Sequence, residues 1–243
     1  MTDPRLLLVA HGTRNPAGVE VIAALADAVA PFVGPVRVAF VDVLGPTPAE
    51  VLRDLDDPVV VVPAFLASGY HVHSDVPREI SESGHGDVHV TRALGPDTGL
   101  AHVLRARLVD VGWQPGDRVV FAAAGSSDVR ALDDVHTAAA QLADVTSSEV
   151  TVAYVATGEP RAADVVASLR ESGEGKVFVA SYLLAPGLFH TRLLAVGADG
   201  VTDPLGIADG VVDLIVQRYR AGVDAISAGA TRSRPGRPDS TPE

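Results

Sequence analysis

The chain contains no cysteine. This excludes disulfides, thiolate metal sites, cysteine-ligated iron–sulfur clusters and cysteine nucleophiles. Any metal must therefore be held by His, Asp or Glu. Long apolar runs are also missing: none reaches the roughly 18 residues of a membrane span, so no membrane association is expected. The first residues, MTDPRLLLVAHG, lack a basic segment and their apolar stretch is too short for a signal peptide; the chain reads as cytoplasmic. Positive charge is scarce. The net charge is −12 and no basic stripe appears before the last residues, which argues against a nucleic-acid partner. No glycine-rich ATP-binding loop is visible. What is present is 243 residues with an apolar fraction of 47%, ample for the core of one large domain or two small ones. The final stretch, GATRSRPGRPDSTPE (229–243), is rich in Pro, Gly, Ser and Arg and reads as a disordered tail.

The chain repeats itself. RLLLVAHGTRN (5–15) aligns with RVVFAAAGSSD (118–128), and VRVAFVDVLGPTPAEVLRDL (36–55) with VTVAYVATGEPRAADVVASL (150–169). VVVVPAFLASGY (59–70) aligns with KVFVASYLLAPGL (176–188), with one inserted residue, and TRALGPDTG (91–99) with TDPLGIADG (202–210). The order is preserved and the offset stays between about 111 and 118 residues. That marks a duplicated domain, with halves at 1–114 and 115–228. In the first half, apolar runs at 5–10, 36–43, 58–65 and 88–93 alternate with helical stretches at 16–31, 47–56, 75–83 and 97–111. Strands that are apolar on both faces suit a parallel sheet covered by helices on each side. The pattern predicts two tandem flavodoxin-like, doubly wound α/β domains. A cleft between them would lie at the carboxyl ends of the strands, where such sheets bind ligands.

The two halves differ at those ends. His11, Asp42 and His71 follow the first three strands of the first half; their counterparts are Ala124, Ala156 and Phe189. Both halves build the same sheet, so folding does not demand the His/Asp/His set. A lone histidine at a strand end is more often a hydrogen-bonded structural residue. Three polar groups at three strand ends, all lost in the repeat, favour function over the alternative that the first half merely borders solvent. Two imidazoles and a carboxylate can ligate a divalent first-row metal, and imidazole takes up protons near neutral pH. With so few ligands and no thiolate, the set suits brief holding of a metal better than a closed structural zinc site.

The segments LLLVAHGTRNP, FVDVLGPTPAEVL and VVPAFLASGYHVHSDVP, in that order and spacing, resemble the class II chelatases, and among them the sirohydrochlorin chelatases of sirohaem and cobalamin synthesis. The resemblance covers nearly the whole chain, because the second half is similar to the second domain of the long, duplicated form. It implies an ATP-independent lyase that inserts a divalent metal into the tetrapyrrole sirohydrochlorin. It implies that His11 and His71 face each other across the cleft, bind the incoming metal and help remove the two pyrrole protons. Asp42 matches an acidic position that is commonly Glu, and reaches about one methylene less far; it can stabilise an imidazolium. Sirohydrochlorin carries eight carboxylates. Arg14, Ser126, Ser127 and the backbone N–H groups of GTRN (12–15) and GSSD (125–128) are expected to bind some of them; the alternative for Arg14 is a plain surface charge. The metal is substrate, with Fe²⁺, Co²⁺ and Ni²⁺ all suiting the ligands, Fe²⁺ expected first and Co²⁺ next. The short form of the family is a homodimer of half-length chains, so a duplicated chain can form the whole cleft as a monomer.

Other residues stand outside this set. In HVHSD (71–75), Asp75 reads as a helix N-cap before Pro77 and His73 is a minor candidate for metal contact. His190 lies one residue past the Phe189 counterpart of His71. His85, His89, His102 and His136 read as surface residues. Two rivals remain. A histidine phosphatase would need an arginine directly before the histidine, where this chain has Ala10. A non-catalytic metal or tetrapyrrole carrier would use the same cleft and ligands, and only turnover separates it from an enzyme.

Overall fold

Alternate residues of RLLLVA (Arg5–Ala10, β1) serve two different cores. Leu6, Leu8 and Ala10 face the middle of the molecule, whereas Leu7 and Val9 face an outer layer of helices. This is the two-residue period of a strand in a segment buried on both sides. The structure, a computed structural model, describes residues 3–173 and 175–232. The first half contains β1, α1 (Pro16–Val33), β2 (Val36–Phe40), α2 (Pro48–Arg53), β3 (Val59–Pro63), α3 (Val76–Ser83), β4 (Val88–Val90) and α4 (Thr98–Asp110). The second contains β5 (Arg118–Ala123), α5 (Val129–Thr146), β6 (Val150–Tyr154), α6 (Ala162–Glu171), β7 (Val177–Tyr182), α7 (Leu188–Leu194), β8 (Gly200–Val201) and α8 (Asp209–Arg232). Both sheets are parallel, in the orders β2-β1-β3-β4 and β6-β5-β7-β8. The fold is two doubly wound α/β domains, as the alternation of the sequence predicts.

Local chemistry sets the ends. Asn15 and Asp128 cap α1 and α5 at equivalent positions, each accepting the N–H two residues on. Thr47 and Glu50 form a reciprocal capping box on α2. The second strand stops at Phe40 rather than running on to 43, because the chain bends from Val41 and Val43 takes a φ of +69°. The helix α1 is long and apolar enough by composition to cross a membrane, but Ile22, Leu25, Ala26 and Val29 are buried in the core beside the first sheet. Residues 229–232, part of the tail expected from sequence, continue α8; residues 233–243 lie outside the described residues.

The layers run α2/α3, first sheet, a shared central layer, second sheet, α6/α7. One continuous core joins the inner faces of both sheets through α1, α4, α5 and α8. Two of these helices have changed sides. The last helix of the first half, α4, packs against β7 and α5; the last helix of the second half, α8, packs against β3, β4 and α1. Each is tied down by an arginine in a matching place. Arg107 of α4 donates to the Leu205 carbonyl, and Arg218 of α8 donates to the Ala93 and Leu94 carbonyls and to Asp97.

Candidate active site

The carboxyl ends of both sheets open on one cleft of about 990 Å³, at the upper end of the range for small-molecule sites. The first half lines it with His11, Phe65, Tyr70 and His71; the second faces these with Ala124, Leu184, Pro186, Leu188 and Phe189. The first wall thus carries the two neighbouring imidazoles, and the second is mostly apolar apart from Ser126, Ser127, Thr157, Tyr182 and the buried His190. Gly69 lets the two halves meet closely beside the cleft: a side chain there would press on Ala131, whereas at Gly187, its equivalent in the repeat, a side chain would meet Asn15 only at ordinary contact distance.

His11 directly follows β1. Its Nδ1 is 3.0 Å from the Gly12 carbonyl oxygen. His71 opens a π-helical turn, His71–Asp75, that runs into α3. Its Nδ1 is 2.6 Å from Asp75 Oδ2. Both Nδ1 atoms face oxygen acceptors, so in the neutral rings they carry the proton and Nε2 is left as a lone pair; the tautomer is assigned from these partners. The two rings lie edge to face, with centroids 4.5 Å apart. They are neighbours on one wall rather than partners facing each other from opposite walls. Phe65 and Tyr70 flank the His71 ring at 6.2 and 6.0 Å. Two adjacent imidazole lone pairs beside an open cleft can take a divalent cation and release it again.

Asp42 is not brought to this pair. Asp42 is exposed and outside the lining of the cleft, and its Oδ1 accepts the Val43 N–H at 2.7 Å. Its backbone N–H donates to the His11 carbonyl at 3.0 Å, so its loop positions the His11 backbone. Among the described residues, no group of three or more His, Asp or Glu side chains could hold a metal ion. Arg14 is exposed on the cleft and has no ion-pair partner among the described residues. Ser126 and Ser127 both line the cleft, and Ser126 Oγ accepts the Asp128 N–H at 3.0 Å. His190 also lines it, buried, with Nε2 donating to the Thr202 carbonyl at 3.1 Å. His73 is exposed and outside the lining, because two residues along a helical turn point away from His71. The Asp128 carboxyl is held below its usual range chiefly by the Arg130 guanidinium, with His73 adding to the effect.

Three residues escape sequence reasoning. Asp75 is not a cap: its side chain makes no capping bond and is buried between His71 and Arg78. The available signal was its spacing of four from His71. Asp134 and Tyr182 belong to the second half but hold the loop that carries His71. Asp134 Oδ2 accepts the Ser68 N–H at 2.7 Å, and the Tyr182 hydroxyl donates to the Leu66 carbonyl at 2.8 Å. Burial pushes the Tyr182 phenol well above its ordinary pKa, with Asp134 and Asp97 adding. No local pattern announces contacts between residues so far apart.

Comparison with known proteins converges on one group. The family model CbiX matches twice, at residues 5–111 and 118–221. The sirohydrochlorin cobaltochelatase of Methanothermobacter thermautotrophicus is 31% identical over 127 residues, which cover 42% of this chain and 89% of that protein. CbiX, the terminal enzyme for biosynthesis of sirohaem in denitrifying bacteria, is 26% identical with a TM-score of 0.67, over 89% of this chain and 98% of that one. SirB from Bacillus subtilis, solved with Fe³⁺, has the same fold, with a TM-score of 0.80 at 22% identity over 94% of this chain and 98% of that one.

Proposed function

The chain belongs to the CbiX family of class II chelatases, and from that premise we propose that it inserts Fe²⁺ or Co²⁺ into sirohydrochlorin, without ATP, as a cytoplasmic monomer. One observation carries this: two imidazoles, side by side and with no hydrogen bond to Nε2 among the described residues, line a cleft whose opposite wall is mostly apolar. A flat macrocycle fits between such walls. Its ring face packs against Leu184, Pro186 and Phe189 while the two histidines meet the other face. Its carboxylates reach Arg14, Ser127 and the N-terminal amides of α1 and α5, which favour negative charge.

The reaction exchanges one M²⁺ for two pyrrole N–H protons. His11 and His71 hold the metal through Nε2. As the metal passes to the pyrrole nitrogens, the two Nε2 atoms it leaves each accept one of the two departing protons and pass them to solvent through the open cleft. Asp42, outside the cleft lining and bonded to the Val43 amide, could stabilise an imidazolium only by leaving that amide and swinging toward the pair. The curated relatives are cobaltochelatases and the denitrifier protein makes sirohaem, so Co²⁺ and Fe²⁺ are the metals to compare.

The test is anaerobic mixing of protein and sirohydrochlorin with Fe²⁺, Co²⁺ or Ni²⁺, following the absorbance change of metallation. Multiple turnovers are expected, reduced by about 100-fold or more in His11→Ala and in His71→Ala. Asp42→Ala should lose less than either. Tight tetrapyrrole binding with no rate above the spontaneous one, for any metal, would leave a carrier instead.

A further inference from the structure

The Asp75 carboxylate is divided between two partners. Its Oδ2 meets His71 Nδ1 and its Oδ1 meets Arg78 Nη1, both at 2.6 Å. Arg78 extends outward to Glu79 and Glu82 at 3.5 and 3.7 Å. Glu79, itself buried, accepts the Ala49 N–H of α2 at 3.3 Å. His71 is thus the inner end of a chain of charged groups anchored on two helices. A buried carboxylate is costly unless it is paired, and this one is paired on both sides. The backbone that delivers it is also uncommon. A π-helical turn is rare and tends to mark functional positions. Pro77 suits it, because proline has no N–H to give to the carbonyl of His73, four residues back.

The repeat supplies the control. After Gly187, the counterpart of Gly69, the second half runs straight into the ordinary helix α7, LFHTRLL, which contains no carboxylate. Neither the π-helical turn nor a buried acid is needed to cover this kind of sheet. His190 of α7 also lines the cleft, but its Nε2 is taken up by the Thr202 carbonyl; among the described residues the π-helical turn and the buried acid accompany His71, which is held through Nδ1.

We propose that Asp75 is the positioning residue for His71, with Arg78 fixing Asp75 in turn. Accepting the Nδ1 proton does two things. It stops the ring rotating away from His11, and it keeps the lone pair on Nε2. A carboxylate behind a metal-binding imidazole also strengthens it as a donor. The inference rests on the metal-holding role given to His71 above.

Two measurements on the full-length protein test it. The first is Co²⁺ binding without tetrapyrrole. Asp75→Leu should weaken it about 10- to 100-fold, and Asp75→Asn, which keeps the size of the side chain, should weaken it less. In a His71→Ala background neither substitution should cause further loss. An equal loss in that background would make Asp75 a purely structural residue and overturn the proposal. The second is the imidazole nitrogen NMR spectrum of the metal-free protein at mildly alkaline pH. His71 should be the Nδ1–H tautomer in the wild type and shift toward Nε2–H in Asp75→Leu, or in Asp75→Asn if the leucine variant does not fold. An unchanged tautomer would also overturn it. Absence of Co²⁺ binding by the wild type would sink the metal-holding role, while the tautomer measurement would still decide what Asp75 does to His71.

Discussion

Gly12 and Gly125 occupy equivalent positions after β1 and β5, with φ of +93° and +90°. Each lies under the loop that follows the neighbouring strand. An alanine Cβ at 12 would overlap the Asp42 carbonyl oxygen, and at 125 the Thr157 carbonyl oxygen. Gly→Ala therefore incurs two costs at either site. The left-handed backbone costs roughly 1–2 kcal/mol for an L-residue. Displacing a packed loop costs about 1–3 kcal/mol more. A loss near 3 kcal/mol should lower Tm by roughly 6–12 °C in a chain of this size. The two variants should be alike in thermal unfolding and differ in metal binding. At 12 the displaced loop is the one whose Asp42 N–H holds the His11 carbonyl. Gly12→Ala should therefore lose Co²⁺ affinity, whereas Gly125→Ala, on the wall without His11 and His71, should keep it. Calorimetric unfolding and Co²⁺ titration of both proteins decide the matter. A Gly12→Ala protein with wild-type Tm, or equal loss of Co²⁺ affinity in both variants, would refute the reasoning.

Other expectations follow from named contacts. Tyr182→Phe removes the hydroxyl bond to Leu66 and should cost about 0.5–1.5 kcal/mol. The buried phenol also keeps its proton above pH 10, where the unfolded chain loses one. Wild-type stability should thus be fully present below pH 10 and decline as pH rises beyond it, less steeply in Tyr182→Phe; equal slopes in denaturant titrations would contradict this. Arg14→Ala and Ser127→Ala should raise KM for the tetrapyrrole while leaving Tm unchanged, whereas Ser126→Ala should also lower Tm because its hydroxyl closes the turn to Asp128. Arg218→Met should cost about 1–3 kcal/mol, because the Ala93 and Leu94 carbonyls lose their donor while Asp97 keeps Arg92, more than Arg107→Met, which loses a single bond to a carbonyl; urea unfolding of the pair checks the order.

Much of the architecture could be read from residues alone, because a strand buried on both faces and a repeated order of motifs are local signals. The observed helices begin within about a residue of the expected ones, where Asn15, Thr47 and Asp97 provide caps. The exchange of α4 and α8 could not be read. Periodicity shows that Leu100, Leu104 and Leu108 share an apolar face, but both sheets offer Val-rich partners and nothing local chooses between them. At the site, His11 and His71 stood out because the repeat lacks them. Asp75 did not, since an acid two residues before a proline is also the signature of a helix start. The orientation of Asp42 depends on the turn at Val43, whose φ of +69° is unexpected for a β-branched residue.

The exchanged helices have a consequence for how the chain is made. The inner face of the first sheet over β3 and β4, including Val60 against Gly222, is covered by α8, which is synthesised after the whole second sheet. While the ribosome is still extending the second half, α1 covers β1 and β2 but β3 and β4 have no cover on that face, and α4 has no second sheet to pack against. The N-terminal half is then an exposed apolar surface rather than a finished domain, and aggregation-prone for as long as synthesis continues. Completion of the fold is tied to the arrival of residues 209–232, so chains that stop before α8 should be recognised and degraded rather than persist as half-enzymes.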